Sequence, residues 1–291
     1  MCVTDVSMAG KVVIVTGGNT GIGFEVAKAL SAKGARVILA CRCEEKGNLA
    51  RDRIISETSN HKVIFKLLNL ASLKSVREFC EDVKKTEDRL DVLINNAGVT
   101  SNSDNYTEDG IIEALQVNHF GPFLLTLLLL PLLKKQPSRI INTSSIMHLL
   151  ANINLGTINE KYNTDINCYM TSKLCNVLFT VDLARRLKGT GVVVNAVHPG
   201  IVDTGIVRNV NALYGICFRF LCWFCYRSAV EGAQTTIHLS VTDEGAEVTG
   251  KYFVDCAQST MSWRVKGALG RQLFDLSVKM VKYDDNVDCK K

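Results

Sequence analysis

The chain has 291 residues, of which 47% are hydrophobic and 22% charged, so a sizeable core is available and disorder is not expected. The formal net charge is +5, and no block of lysine or arginine occurs, which argues against a nucleic acid partner. Eleven cysteines without a repeated spacing, and no secretory signal before the first apolar run, indicate reduced thiols in an intracellular protein that is not secreted.

Apolar runs typical of buried strands alternate with stretches typical of helices along the chain. The predicted strands are residues 11–16, 35–40, 62–67, 91–94, 139–143, 192–197 and 251–254. The predicted helices begin at about residue 21 and then cover 44–57, 73–86, 110–133, 168–187 and 229–240. The alternation predicts an α/β fold with a doubly wound, Rossmann-type parallel sheet of about seven strands and helices on both faces. No linker or repeat divides the chain, so we predict a single domain over residues 1–291.

A glycine-rich turn joins the first predicted strand to the first predicted helix, where residues 16–23 read Thr-Gly-Gly-Asn-Thr-Gly-Ile-Gly. The N–H groups at a helix N-terminus bind phosphate, and glycine lets the backbone approach it closely. A tight structural turn is the alternative for this stretch taken alone. The predicted cofactor-binding residues here are Gly17, Asn19, Thr20, Gly21, Ile22 and Gly23.

The end of the second predicted strand is where an acidic residue binds the ribose hydroxyls of NAD. Residues 39–42 read Leu-Ala-Cys-Arg instead, and no carboxylate occurs before Glu44. The arginine guanidinium suits a 2′-phosphate in charge and in geometry. We therefore predict NADP(H) as the cofactor and Arg42 as its phosphate ligand, with a solvated loop charge as the alternative.

A tyrosine and a lysine, Tyr169 and Lys173, are spaced to lie one turn apart on one face of a helix. A nearby cation favours the phenolate, so we expect Lys173 to lower the pKa of Tyr169 from about 10 and make it a usable acid or base. Ser144 and Ser145 follow a predicted strand and bring a hydroxyl towards the same region. Asn118 lies on the preceding helix, where spacing alone favours an ordinary polar residue.

Taken together, these motifs resemble the short-chain dehydrogenase/reductase family over about residues 10–255. The motifs are Thr16-Gly17-x-x-x-Gly21-x-Gly23, Asn95-Asn96-Ala97-Gly98, Asn118, Ser145, Tyr169-x-x-x-Lys173 and Pro199-Gly200. Residues 40–42, 172–179 and 196–200, with the long interval between Ser145 and Tyr169, look like the NADP-dependent retinol dehydrogenase branch.

The resemblance implies an oxidoreductase that interconverts a lipophilic carbonyl compound (a retinoid, a steroid or a long-chain aldehyde or ketone) and its alcohol by hydride transfer. It implies that Tyr169 exchanges a proton with the substrate oxygen, that Ser145 holds that oxygen, and that Lys173 also binds the nicotinamide ribose. Asn118 would anchor a water that leads from Lys173 to solvent. The further cofactor contacts that it implies are Asn69, Leu70, Asn96, Ala97, Gly98, Thr143, Tyr169, Pro199, Gly200, Val202 and Thr204. Asn69 stands where many relatives have aspartate, so we expect a weakened contact near the adenine.

Residues 201–227 are predicted to lie on the substrate side as a lid. Within them, residues 213–226 are aromatic-rich and apolar almost all round, and such a stretch must be covered. Three interpretations are open: a lid over a lipophilic substrate, a peripheral contact with a membrane, and a core or subunit contact. Cys222 and Cys225 lack a second ligand pair, so we interpret them as buried thiols and predict no metal site.

The remaining expectations concern assembly and location. Relatives pack helices equivalent to 110–133 and 168–187 into a dimer interface. Two interpretations of these helices are therefore open: a homodimer contact and packing within one subunit. The longest apolar run, 122–133, has twelve residues, so we expect no transmembrane segment. Only about ten residues precede the first strand, which argues against the hydrophobic anchor of close relatives and for a cytoplasmic or peripherally membrane-associated protein. Residues from about 277 to 291 are expected to form a solvated polar tail.

Two other functions compete with the enzyme: a non-catalytic NADP(H)-binding protein and a lipid-surface protein, each retaining the fold. The intact set of Asn118, Ser145, Tyr169 and Lys173 favours the enzyme, because a degenerate relative would be expected to lose one of these residues.

Overall fold

The computed structural model describes residues 6–202 and 226–284. Its strands are β1 (Val12–Thr16), β2 (Arg36–Cys41), β3 (Val63–Leu67), β4 (Val92–Asn95), β5 (Ser138–Thr143), β6 (Val192–His198), β7 (Ile201–Val202), β8 (Tyr226–Arg227), β9 (Tyr252–Val254) and β10 (Ala257–Ser259). Eight of them form one sheet in the order β10-β9-β6-β5-β4-β1-β2-β3, and β7 pairs with β8 separately. All neighbours in the large sheet are parallel except β9 and β10. The predicted α/β fold is confirmed, and β10 adds an eighth strand to the seven predicted.

The helices are α1 (Gly21–Ala32), α2 (Glu44–Thr58), α3 (Leu73–Thr86), α4 (Glu113–Leu115), α5 (Gly121–Leu133), α6 (Asp165–Arg186), α7 (Ala229–Val241), α8 (Asp243–Glu247) and α9 (Gly267–Met280). A π-helical turn (Gln116–Phe120) joins α4 to α5, and a 3₁₀ turn (Ile146–Leu149) follows β5. The π-helical turn ends immediately before Gly121 and Pro122, inside the single helix predicted over 110–133. Helices α8 and α9 are not among the predicted elements.

The sheet separates two apolar layers because successive side chains of a strand point to opposite faces. Val12 and Ile14 of β1 pack in the layer that holds α3, α5, α6 and α9. Val13 and Val15 pack in the opposite layer, which holds α1, α2 and α7. The near-continuous apolar run of β1 is therefore what a strand covered on both faces requires.

Helix α9 extends into the residues for which the sequence predicts a solvated tail. Ser277, where a solvated tail was expected to begin, lies in α9 and is fully buried. Its hydroxyl donates to the Leu273 carbonyl oxygen at 2.8 Å and lies 3.0 Å from His119 Nε2 in the π-helical turn. The expected tail is wrong at its start, because α9 packs its apolar face against the core up to Val281.

The apolar helix Glu113–Leu133 is long and apolar enough to cross a bilayer by length and composition alone, among the residues described. However, 89% of its most apolar window is buried inside the protein. Core helices of folded domains have this composition as well. The leucines between Leu124 and Leu133 are buried within the single chain, apart from the half-buried Leu130, which favours packing within the subunit over a dimer contact.

The carboxyl ends of the parallel strands meet along one edge of the sheet. The chain order reverses between β1 and β4, which are neighbours although β2 and β3 separate them in sequence. Ligands of doubly wound sheets bind in the crevice at such a point. The residues that follow β1, β2, β4, β5 and β6 are therefore the ones that can form a site.

Candidate active site

The glycine turn forms a narrow cradle at the start of α1. Gly17 and Gly21 have φ angles of +65° and +56°, which favour glycine. A Cβ atom on Gly23 would lie 2.4 Å from the Gly17 carbonyl oxygen and 2.5 Å from Asn96 Nδ2. The N-cap residue Thr20 makes no side-chain hydrogen bond to the helix, and the first turn of α1 has no acidic residue. The N-terminus of α1 is thus a suitable place for an anionic group.

A side-chain clamp joins the end of β1 to the end of β4. The Thr16 hydroxyl accepts hydrogen bonds from the backbone N–H groups of Asn96 and Ala97, at 2.9 and 3.0 Å. Asn96 Nδ2 donates in return to the Thr16 carbonyl oxygen at 2.9 Å. The clamp brings the predicted residues Asn96, Ala97 and Gly98 against the glycine turn, with a Cβ on Gly17 only 3.2 Å from Ala97 Cα.

The ends of β2 and β3 lie beside this cradle. Arg42 is exposed just after β2 and, among the described residues, has no hydrogen-bond or ion-pair partner. Asn69 and Leu70 follow β3, and Asn69 Oδ1 accepts a hydrogen bond from the Ala71 N–H at 3.1 Å. The Asn69 amide nitrogen has no hydrogen-bond partner among the described residues and is available to a ligand. Leu70 is buried against the core.

Lys173 is buried on α6, with a relative exposure of 3%. Its ammonium donates to the Thr143 carbonyl oxygen at the end of β5, at 3.2 Å. A Cβ on Gly98 would lie 3.2 Å from Lys173 Nζ and 3.4 Å from Asn118 Oδ1, so three predicted site residues meet here. Burial lowers the pKa of Lys173 to about 8.

Tyr169 lies next to Lys173, and the Ser145 hydroxyl is close enough to influence its pKa. Burial raises the pKa of Tyr169 to about 12, and the hydrogen bond with Ser145 acts in the opposite direction. The Lys173 ammonium lies 5.4 Å from the centre of the Tyr169 ring. The expectation of a net lowered pKa for Tyr169 is wrong for this structure, because the desolvation of the phenol outweighs any stabilisation of the phenolate by the Lys173 ammonium.

Their hydrogen-bond partners distinguish the two candidate serines, Ser144 and Ser145. Ser144 Oγ donates to the Lys173 backbone carbonyl oxygen at 2.8 Å and thereby joins β5 to α6. Ser145 is the residue whose hydroxyl reaches Tyr169. The structure therefore favours Ser145 over Ser144.

The π-helical turn holds Asn118 in a buried position. Asn118 Oδ1 accepts from the Val99 N–H at 2.8 Å, and Nδ2 donates to the Val99 carbonyl oxygen and to Ser172 Oγ, each at 2.9 Å. Such turns occur frequently at functional sites. This side chain is more than a polar helix residue, because it locks the loop after β4 to α6.

The end of β6 adds groups that the sequence analysis did not single out. His198 Nδ1 is buried without a partner among the described residues, and burial lowers the pKa of His198 to about 4. Gly200 has a φ of +87°, and a Cβ there would lie 2.5 Å from Arg227 Cδ. Arg227 pairs with Asp255, with Nη2 2.9 Å from Oδ2. The sequence signal for His198 was its place just before Pro199 and Gly200.

Two predicted contacts lie at or beyond the limit of the described residues. Val202 belongs to β7, of which the backbone alone is described, and Thr204 lies outside. Most of the predicted lid, with residues 213–225 and the cysteines at 222 and 225, also lies outside.

The residues present fit a nicotinamide dinucleotide. A side chain would close the cradle at Gly23, and the adjoining helix N-terminus has no acidic residue in its first turn. Thr143 Oγ1 is buried beside Lys173 and has no hydrogen-bond partner among the described residues. These groups form a continuous row along the edge of the sheet from the glycine turn to Tyr169.

The fold and the site together define an oxidoreductase that uses a nicotinamide cofactor. A profile of the short chain dehydrogenase family matches residues 11–214. Retinol dehydrogenase 11 of Homo sapiens is 43% identical over 288 residues, which cover 97% of this chain and 89% of that protein. Retinol dehydrogenase 13 of Homo sapiens is 46% identical over 261 residues, which cover 87% and 78%. The chain belongs to the short-chain dehydrogenase family, and within it resembles the retinol dehydrogenases.

Solved structures agree with this assignment. A structure described as the Pseudomonas aeruginosa RhlG/NADP active-site complex has a TM-score of 0.69 at 27% identity, over 85% of this chain and 95% of that one. A protein of Mycobacterium paratuberculosis has a TM-score of 0.76 at 29% identity, over 96% of both chains.

Proposed function

We propose that the protein is an NADP(H)-dependent oxidoreductase that interconverts a lipophilic carbonyl compound, a retinoid above all, and its alcohol. The observation that carries this proposal is the cluster in which the half-buried Tyr169 lies beside the buried Ser145 and Lys173, with Lys173 against Gly98. The names of the relatives support a retinoid, and the NADP complex of a structural neighbour supports the cofactor.

The state of Tyr169 suits carbonyl reduction. Because burial raises the pKa of Tyr169 to about 12, its hydroxyl carries its proton at neutral pH. Tyr169 and Ser145 donate hydrogen bonds to the carbonyl oxygen, and Tyr169 gives up its proton as negative charge develops there. The cofactor, when bound, supplies the hydride. Oxidation of an alcohol runs the same proton transfer in reverse.

Lys173 and Asn118 support that transfer. The Lys173 ammonium is held at the Thr143 carbonyl oxygen and adjoins Asn118 Oδ1 across Gly98. In this position it binds a ribose hydroxyl and stabilises the phenolate that Tyr169 leaves behind. Asn118 keeps the loop after β4 in place for the same cofactor. A water held at Asn118 connects Lys173 to solvent and so lets the proton be replaced.

The other predicted residues hold the cofactor along the edge of the sheet. The turn from Gly17 to Gly23 takes the pyrophosphate at the N-terminus of α1. Arg42 takes the 2′-phosphate, and Asn69 lies at the adenine. Arg42 is suited to this because it is exposed and has no partner among the described residues.

Exposed apolar side chains near the site support a lipophilic substrate. Leu150 follows the 3₁₀ turn that begins after Ser145 and is 69% exposed. Trp263 is 71% exposed, and the preceding residue, Ser262, is hydrogen-bonded through its N–H to His148 in that turn. Arg264 and Lys266 flank the ring of Trp263, at 4.4 and 5.6 Å from its centre.

An aromatic ring flanked by cations suits the interface of an anionic bilayer, where lipophilic carbonyl compounds are dissolved. Peripheral contact with a lipid surface is therefore part of this proposal. Sedimentation with phosphatidylserine vesicles and with phosphatidylcholine vesicles tests it, and we expect binding to the first alone.

The activity is tested by following NADPH oxidation with all-trans-retinal, a steroid ketone, a medium-chain aldehyde and acetone. We expect turnover of lipophilic carbonyls and its loss in Tyr169→Phe, which removes one oxygen atom. Fluorescence of bound NADPH in the same variant shows whether the cofactor site is intact. NADPH binding without turnover of any of these compounds favours a non-catalytic binding protein.

A further inference from the structure

His148 is fully buried in the 3₁₀ turn directly after Ser145 and is bonded on both ring nitrogens. His148 Nδ1 lies 2.7 Å from the backbone carbonyl oxygen of Ser145. The backbone N–H of Ser262 donates to His148 Nε2 at 3.2 Å. The second contact joins residues that are 114 positions apart in the chain.

The two contacts fix the tautomer of the imidazole. A backbone N–H can only donate, so His148 Nε2 must be unprotonated and accept. The proton of the neutral ring is then on Nδ1 and is donated to the Ser145 carbonyl oxygen. Burial lowers the pKa of His148, so the neutral ring persists at physiological pH.

Packing restrains the ring further. The Tyr252 ring lies against His148, with the two ring centres 4.6 Å apart at an angle of 58°. Tyr252 is buried on β9, next to β6 in the sheet. His148 is therefore held by the sheet on one side and by the segment after β10 on the other.

We propose that His148 is a positioning residue, which sets the orientation of Ser145 towards Tyr169 by holding the Ser145 backbone. The Ser145 carbonyl oxygen also accepts from the His148 N–H at 3.1 Å, and Ser145 Oγ accepts from the Met147 N–H at 3.3 Å. The carbonyl oxygen is thus held at two points, which fixes the Ser145 backbone, and the Met147 N–H restrains the rotation of its hydroxyl. This inference rests on the proposed function, in which Ser145 holds the substrate oxygen.

The tautomer is tested first, because it does not depend on activity. In protein labelled with ¹⁵N in its histidine rings, two-dimensional NMR distinguishes the protonated from the unprotonated nitrogen, and His148→Asn assigns the signal. We expect the Nδ1–H form throughout the range from about pH 6 to pH 8. An Nε2–H form, or a cationic ring at neutral pH, overturns the proposal even if the enzyme is active.

Turnover is tested with a pair of variants. His148→Asn retains an N–H donor where Nδ1 stands, whereas His148→Leu has none. We expect His148→Leu to lower kcat about 100-fold at unchanged NADPH affinity, since small displacements of a reacting group have effects of that size. His148→Asn should recover most of the lost turnover, which a purely structural role of the ring would not explain.

The control is His238→Leu, which removes another histidine from α7, in the opposite layer of the fold. It should leave kcat unchanged. Thermal unfolding and NADPH fluorescence confirm that each variant is folded. Equal losses in His148→Leu and His148→Asn, or wild-type turnover in His148→Leu, overturn the proposal. If the wild-type protein reduces no carbonyl compound, the proposed function fails while the NMR result stands by itself.

Discussion

Lys173 Nζ and Asn176 Nδ2 donate to one acceptor, the Thr143 carbonyl oxygen, at 3.2 and 3.1 Å. The two donors lie on successive turns of one face of α6. Burial is the cause that lowers the pKa of Lys173 to about 8. The ammonium is therefore held by a neutral carbonyl group and loses its proton within an accessible range of pH.

The first prediction concerns cofactor binding and pH. The charged ammonium binds the ribose and the anionic cofactor, so NADPH affinity should be constant below pH 8. Above that pH, binding must take up a proton, and the dissociation constant should rise by up to about tenfold per pH unit. Fluorescence titration between pH 6.5 and 9.5 measures it.

Lys173→Arg is the matched control for this pH dependence, since its guanidinium remains charged throughout the range. It should bind NADPH with an affinity independent of pH. A wild-type dissociation constant that stays flat up to pH 9.5 would show that Lys173 does not control binding.

The second prediction concerns Arg42 and the choice of cofactor. Arg42→Ala removes a charge-assisted contact with the 2′-phosphate, which should weaken NADPH binding by about 10- to 100-fold and leave NADH binding unchanged. Arg53→Ala is the control, because this guanidinium lies further along α2 and is paired with Glu57. Equal weakening of NADPH and NADH in Arg42→Ala would contradict the assignment.

Local patterns were sufficient to predict most of the fold and to propose the central site residues. The glycine turn and the Tyr169–Lys173 spacing each depend on a single element, and the structure brings both to the same edge of the sheet. Contacts such as that between His148 and Ser262 join distant segments, and no local pattern indicates them. The pKa of Tyr169 was predicted with the wrong sign because burial depends on the whole fold.

Helix α9 likewise could not be predicted from local sequence patterns. α9 has exposed polar residues, including Arg271 and Asp275, which conceal its apolar face in the sequence. Ser277 looks like part of a polar tail, yet it is buried because it meets His119, a residue 158 positions away. Contacts with distant parts of the chain therefore determine where the tail begins.

The third prediction follows from that bond. Ser277 donates its one proton to the Leu273 carbonyl oxygen, so His119 Nε2 must donate to Ser277 Oγ. Ser277→Val leaves the imidazole N–H buried without an acceptor, which should lower the free energy of unfolding by about 1–3 kcal/mol. Urea denaturation measures this, with Lys279→Ala on the exposed face of α9 as the control. Equal stability of Ser277→Val and wild type would mean that His119 finds another partner.

The fourth prediction concerns the cradle at α1. Gly23→Ala places a methyl group 2.4 Å from the Gly17 carbonyl oxygen, so the turn must move. We expect NADPH binding to be lost while the protein remains folded, because the clash is confined to this turn and to the adjoining Asn96 side chain. Gly267→Ala is the matched control, since its nearest neighbour is the end of the flexible Arg271 side chain at 3.5 Å. Normal NADPH binding in Gly23→Ala would show that the cofactor does not use this turn.

The fifth prediction concerns the exposed apolar surface near Ser145. If Leu150 and Trp263 receive the apolar part of the substrate, the double variant Leu150→Ser, Trp263→Ser should lose about 1.5–3 kcal/mol of apolar burial per side chain that the substrate covers. The KM for retinal should therefore rise by at least tenfold. Because kcat depends on Tyr169 and Lys173, it should change little. A short aldehyde that does not reach this surface is the internal control, and its KM should be the same in both proteins. An equal rise of KM for both aldehydes would mean that the substitutions disturb the catalytic group itself. An unchanged KM for retinal would mean that the apolar part of the substrate does not contact Leu150 and Trp263.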